Sequence, residues 1–183
     1  MIRLNYVDWG NIGEHLVKKA ANWFSEGEKM KTNISKLPYR QGTQAYIAND
    51  KDELLLVCNV GKERFWKIPS GGIDKGEKPE DTIKREMMEE LGVKIKILKR
   101  CSFKNKFDWP KEFVEKNNFR YRGQEQVIFI VKMLTGQKIK RDPAEVQDYK
   151  WIKFDKINDV LKLTHQQETA KKVLAEYKTI RKK

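Results

Sequence analysis

Glu86, Glu89 and Glu90 crowd a single turn in the stretch Arg85-Glu86-Met87-Met88-Glu89-Glu90-Leu91. Like charges three and four positions apart oppose a helix by roughly 0.2–0.5 kcal/mol per pair. Something positive among them would relieve that cost. Carboxylate clusters with incomplete coordination suit Mg²⁺ or Mn²⁺, hard cations that keep waters and share phosphate oxygens with a substrate. The preceding segment, Pro69-Ser70-Gly71-Gly72-Ile73-Asp74-Lys75-Gly76-Glu77, is rich in glycines that let backbone approach a ligand closely. The carboxylates alone are also compatible with a solvated acidic face. Glu80 and Asp81, earlier in the same helix, are read only as partners of the helix dipole.

The wider spacing discriminates between these readings. Gly71, five residues, Glu77, seven residues and then Arg85-Glu86-Met87-Met88-Glu89-Glu90-Leu91-Gly92-Val93 match every fixed position of the pattern G-x5-E-x7-R-E-U-x-E-E-x-G-U, U being bulky and aliphatic. The chain therefore resembles the Nudix hydrolases. The resemblance implies an α/β/α sandwich with a mixed sheet and a loop-helix-loop catalytic motif. It also implies hydrolysis of a nucleoside diphosphate linked to another group. By that resemblance Glu86, Glu89 and Glu90 are divalent-metal ligands, with the Ser70 carbonyl as a further ligand, and Glu77 and Arg85 form a supporting pair.

Flanking residues are similar to the bacterial RNA 5′-pyrophosphohydrolases and the related dinucleoside tetraphosphate hydrolases. They are Tyr39-Arg40, Trp66-Lys67-Ile68-Pro69-Ser70-Gly71-Gly72-Ile73, Phe107-Asp108-Trp109-Pro110, Gly123-Gln124-Glu125-Gln126 and Glu145, six residues before Trp151. Ser70 and Ile68 depart from that group's Gln and Phe. Arg40 is a candidate for terminal phosphate oxygens through its planar fork, or a surface arginine. Glu145 is a candidate metal ligand or proton acceptor, or a generic loop carboxylate. Gly71, Gly72, Gln124 and Gln126 are candidate substrate contacts, the glutamines otherwise pairing at a strand edge. Trp66 and Phe107 are either base-stacking or buried aromatics. His15 and His165 are read as surface or packing residues.

Several elements must position these groups. Short apolar strands cover Gln44-Ala45-Tyr46-Ile47-Ala48 and Glu53 to Val60, joined by Asn49-Asp50-Lys51-Asp52, a turn suited to a hairpin. Phe65 to Gly72 reads as a strand broken by Pro69. Pro79, the early acids and Gly92 punctuate a helix from Pro79 to Leu91, with Ile83, Met87 and Leu91 as its apolar stripe. A strand from Val93 to Cys101, a basic loop from Lys104 to Arg122, strands over 126–134 and 149–154, and a helix over 155–181 follow. Such a mixture indicates a mixed α/β domain with helices on sheet. Residues 1–36 stand apart as an N-terminal helical extension, with Ile12, Leu16, Ala20, Trp23 and Phe24 at helical spacing. Residues 37–183 form the catalytic domain.

Composition sets the outer bounds. No apolar run is long enough to span a membrane, and the N-terminal stretch has no signal-peptide pattern. Cys58 and Cys101 fall in strands and read as buried free thiols. Together these favour a cytoplasmic protein, either monomer or homodimer. The net charge is +13, with eight basic and three acidic residues between Lys99 and Arg122 and ten against four from Lys150 to Lys183. A basic surface draws polyanions such as RNA or nucleoside polyphosphates, although a Lys-rich surface without that role has the same charge. The sequence therefore supports pyrophosphate hydrolysis in a dinucleoside tetraphosphate or at the 5′-triphosphate end of RNA. A nucleoside triphosphate or ADP-ribose pyrophosphatase is an alternative, and a non-catalytic binding module of the same fold is another.

Overall fold

The computed structural model describes residues 33–61 and 64–181. The expected N-terminal helix and His15 lie outside these residues. Of the extension, only its end is described, as a 3-10 turn at Ile34–Lys36. Arg122 donates to the Ser35 carbonyl at 2.7 Å and ties that turn to the domain.

Strands β1 (Tyr39–Ile47), β4 (Ser70–Gly72), β5 (Ile95–Asp108) and β6 (Gly123–Met133) form one sheet in the order β4-β1-β6-β5. The β1–β6 pair is parallel, whereas β1–β4 and β5–β6 are antiparallel, so this sheet is mixed. Strands β2 (Glu53–Asn59), β3 (Trp66–Lys67) and β7 (Val146–Lys153) form a second, antiparallel sheet in the order β3-β2-β7.

Helix α1 (Pro79–Leu91) covers one side of these sheets. Its stripe of Ile83, Met87 and Leu91 packs with Ala45, Leu55, Val57, Phe129 and Val131. The other side carries a cluster built on Tyr46, Leu54, Leu56, Ile128 and Ile130, closed by Ala170, Val173 and Tyr177 of the last helix. The result is the α/β/α sandwich that the resemblance implies. α1 has the expected bounds because the chain is strongly punctuated there. Pro79 opens it, and Gly92 closes it in the left-handed region at φ 65°.

Elsewhere the structure corrects the sequence reading. The strand placed at Val93–Cys101 runs on to Asp108, and Lys111–Lys116 forms a short helix, α2, so most of the basic loop is regular structure. The Asn49–Asp52 turn closes β1 onto β2 only at its base, through the Ala48–Leu54 bridge and Asn49 N–H to Glu53 O at 3.0 Å. Beyond it the two strands part into different sheets. Phe65–Gly72 is not one interrupted strand but β3 and β4, in separate sheets on either side of Ile68-Pro69. Strand β6 begins earlier than expected, at Gly123, and β7 begins earlier, at Val146. The C-terminal helix is broken into a 3-10 turn (Phe154–Lys156), α3 (Ile157–Val160) and α4 (Thr164–Arg181). Gln167 Nε2 donates to the carbonyls of Asn158 and Leu161 at 3.1 and 2.6 Å and bridges the break.

Candidate active site

A cavity of about 220 Å³ opens at one end of the mixed sheet, on the face away from α1. Strand parity explains its floor. The face that carries Tyr46, Ile128 and Ile130 in the core continues along β1 to Gln44, Gly42 and Arg40, and along β6 to Gln126 and Gln124. On β5 the same face carries Asn105 opposite Gln126 and Phe107 opposite Gln124. Apolar core thus gives way to a polar floor along the same strands.

The acidic side of the cavity is assembled from two places. Glu86 and Glu90 reach it from α1, and Glu145 reaches it from the segment before β7. That segment is fastened to the end of α1, where helix carbonyls lack intrahelical partners. Lys140 N–H donates to Leu91 O and Asp142 N–H to Glu90 O, both at 2.9 Å. Asp142 Oδ1 accepts from Ala144 N–H at 2.8 Å, and Val146 N–H donates to Asp142 O at 2.8 Å. The resulting tight turn carries Glu145 to the cavity. Glu90 is only 6% exposed.

Glycines make room for the charged side chains. A Cβ at Gly71 would collide with the Glu86 carboxylate, and one at Gly72 would collide with the Arg40 guanidinium. Both positions, expected to admit a ligand to the backbone, here seat functional side chains of the protein itself. Ser70, Gly71, Gly72, Arg40, Gln124, Gln126 and Phe107 all line the cavity alongside the carboxylates.

Arg85 answers the charge crowding in this structure. Its Nε and Nη2 donate to the two oxygens of Glu77, each at 2.9 Å, and Nη2 also reaches Gly72 O at 3.1 Å. Nη1 donates to Glu86 at 2.8 Å and to Glu89 at 3.0 Å. Glu77 in turn accepts from Asp74 N–H at 3.2 Å, so one guanidinium ties the glycine loop to α1. The Arg85 hydrogen bonds hold the Glu77 carboxyl down at about 2, and those carboxylates push the Arg85 guanidinium further above its ordinary range.

Glu77, Arg85 and Glu89 do not line the cavity, and Glu89 is 49% exposed at its side chain. Among the described residues no group of three or more His, Cys, Asp or Glu side chains is arranged to hold a metal ion. The donor chemistry nonetheless fits one: the cavity's acidic side offers carboxylate oxygens, with no thiol or imidazole among Glu86, Glu90 and Glu145.

Trp66 lies outside the cavity, with Lys150 Nζ 4.1 Å and Arg64 5.9 Å from its ring centroid. His165, read as a packing residue, does pack: it stacks on Phe107 with ring centroids 4.1 Å apart, and burial lowers its pKa. It also lines the cavity, as do Gln44, Lys67, Asn105, Trp109 and Gln166, none of them singled out by the sequence as individual site residues. The alternation of β1 and β5 was the available signal for Gln44 and Asn105.

Comparison with known proteins agrees with this geometry. The family model of the NUDIX domain matches residues 38–177. The RNA pyrophosphohydrolase of Pelagibacter ubique is 32% identical over 141 residues, covering 72% of this chain and 87% of the relative. That of Nitratiruptor sp. is 33% identical over 128 residues, covering 66% and 82% respectively. Among solved structures, a C. elegans Ap4A hydrolase binary complex superposes with a TM-score of 0.59 at 15% identity, covering 75% of this chain and 98% of that one. With the complete motif on a sandwich of this form, the match over residues 38–177 establishes that the chain belongs to the Nudix hydrolase family.

Proposed function

We propose that this Nudix hydrolase cleaves a pyrophosphate bond at the 5′-triphosphate end of RNA, in a reaction that requires Mg²⁺ or Mn²⁺. The observation that carries the reading is the meeting of Glu86, Glu90 and Glu145 with Arg40 around one cavity. Relatives named RNA pyrophosphohydrolase at about this level of identity favour RNA as the polyphosphate. The cavity, at about 220 Å³, is also small beside the roughly 300–1,000 Å³ of sites that enclose a whole drug-sized ligand. It suits the end of a polymer better than an entire dinucleoside tetraphosphate.

In this reading Glu86, Glu89 and Glu90, with Glu145 and the Ser70 carbonyl, hold the divalent cations. Bound there, the cations supply neutralisation of the phosphate oxygens and a water made acidic enough to attack. Arg40 grips terminal phosphate oxygens, and its seat on Gly72 aims it along the floor. Among the described residues no carboxylate forms an ion pair with Arg40, which leaves its charge for a ligand. Lys67, at the other side of the opening, adds a second cation. Glu145 is the candidate proton acceptor, and Glu77 with Arg85 keeps loop and helix in register.

The test is one panel: triphosphate RNA, diadenosine tetraphosphate, nucleoside triphosphates and ADP-ribose, each with Mg²⁺ and with chelator. Fastest turnover on triphosphate RNA with Mg²⁺, and none with chelator, is the expected result. Faster turnover on diadenosine tetraphosphate would move the substrate to the small dinucleotides. Binding without turnover on every member would make the domain a recognition module.

A further inference from the structure

The cavity floor holds polar groups that phosphate chemistry does not use. Gln44 is 3% exposed and Gln166 7% exposed, both line the cavity, and the side-chain oxygen of each has no hydrogen-bond partner among the described residues. A buried amide oxygen left without a donor costs about 1–3 kcal/mol. Placing such acceptors in one small cavity, on β1 and at the start of α4, implies a ligand that brings N–H groups. Phosphate oxygens, themselves acceptors, would be repelled by them.

Between these oxygens lies a group with the opposite polarity. The Thr169 hydroxyl donates to Asn105 Oδ1 at 3.3 Å, which turns the Asn105 amide so that Nδ2 donates to Gln126 Oε1 at 3.0 Å. With its oxygen engaged, Gln126, 3% exposed, has its NH₂ left to offer to the cavity. The register makes Gln44 and Gln126 neighbours on one face, because Gln126 pairs with Gly42, two residues before Gln44. The floor therefore presents two acceptors and one donor. Beside it the stacked rings of Phe107 and His165 form a flat wall.

We propose that this floor reads the edge of a nucleobase with two N–H donors and one acceptor, the pattern of guanine, with Gln44 and Gln166 accepting from the base and Gln126 donating to it. Adenine offers one amino donor beside its ring acceptors, and the pyrimidines likewise offer a single donor group. Neither would satisfy both orphan oxygens. Their rejection follows the rule that a site built to hydrogen-bond a group discriminates strongly against an analogue that lacks it.

The inference rests on the reading that the substrate is a triphosphate RNA end. Its test uses short triphosphate RNAs differing only in guanosine, inosine or adenosine at the first or second position. Inosine keeps the ring N–H and carbonyl of guanine but lacks the amino group. At one position, guanosine is expected to exceed both others in kcat/KM by roughly tenfold or more, the scale of one buried hydrogen bond. In Gln44→Met and Gln166→Met the guanosine-to-inosine ratio should fall towards one, a comparison made within each variant and so insensitive to partial loss of fold. Equal turnover of all RNAs would overturn the inference and leave the proposed function standing. If no RNA is hydrolysed, the proposed function fails instead, and binding of GMP, IMP and AMP to the full chain decides the floor. Equal affinities for the three would overturn it; tighter GMP binding would uphold it.

Discussion

The backbone N–H of Asp142 donates to the carbonyl of Glu90 at 2.9 Å, joining the segment before β7 to the end of the helix that carries the acidic motif. Glu90 and Glu145 reach the same cavity because of this backbone contact. The Asp142 side chain stiffens the turn by accepting from Ala144 N–H at 2.8 Å. Asp142→Ala should remove that brace without touching any carboxylate in the cavity. The expected outcome is a several-fold loss of kcat, in the direction of Glu145→Gln, with about 1 kcal/mol less stability in urea unfolding. If Glu145→Gln abolishes activity and Asp142→Ala leaves it intact, the turn does not position Glu145.

The seats of Glu86 and Arg40 give a paired prediction. Gly71→Ala would drive a methyl group into the Glu86 carboxylate, whereas Gly72→Ala would drive one into the Arg40 guanidinium. These neighbouring substitutions should therefore fail differently. Gly71→Ala should weaken binding of Mn²⁺, measurable by electron paramagnetic resonance. Gly72→Ala should raise KM for the polyphosphate, as Arg40→Ala does, with Mn²⁺ binding retained. Identical defects in both variants would point to general disruption of β4 instead.

What the sequence revealed follows a physical pattern. The acidic motif was legible because its residues sit on one helix at fixed spacing, and Pro79 and Gly92 mark that helix at both ends. Fold class was legible for the same reason, through the resemblance that the motif carries. The far half of β5 was not. There the inward positions are Asn105 and Phe107 between outward Lys104, Lys106 and Asp108, so the usual apolar-in alternation gives way to polar residues wherever the strand borders a cavity. Gln44 was hidden similarly within an otherwise apolar run. The partner of the crowded glutamates was also misread: in this structure the positive group among Glu86 and Glu89 is Arg85, one residue away.

Glu90 provides the most direct test of metal dependence. It is almost fully buried beside the cavity. Glu90→Gln keeps its shape and removes its charge. Turnover should fall by about 10² or more, the scale for loss of one electrostatic catalytic group. The midpoint of Mg²⁺ activation should rise, while circular dichroism stays unchanged. Near-normal turnover with an intact fold would remove Glu90 from the metal site.

The Glu77–Arg85 pair predicts a defined pH window for stability. The Glu77 carboxyl, held by the Arg85 hydrogen bonds, titrates at about 2 in the folded chain against an ordinary 4.5. A folded value below the unfolded one means that the unfolded chain takes up the proton first as pH falls. The pair's contribution is then complete above about 4.5 and drains away as pH drops through the window to about 2. A charge-assisted hydrogen bond of this kind is worth about 1.5–3 kcal/mol. Glu77→Gln should therefore be less stable than the wild type by that order at pH 7 in chemical unfolding. The difference between the two proteins should shrink steadily between pH 4.5 and 2, because only the wild type has this carboxylate to lose. A difference that stays constant across the window would mean that Arg85 holds the loop through Gly72 and Glu86 rather than through the Glu77 charge.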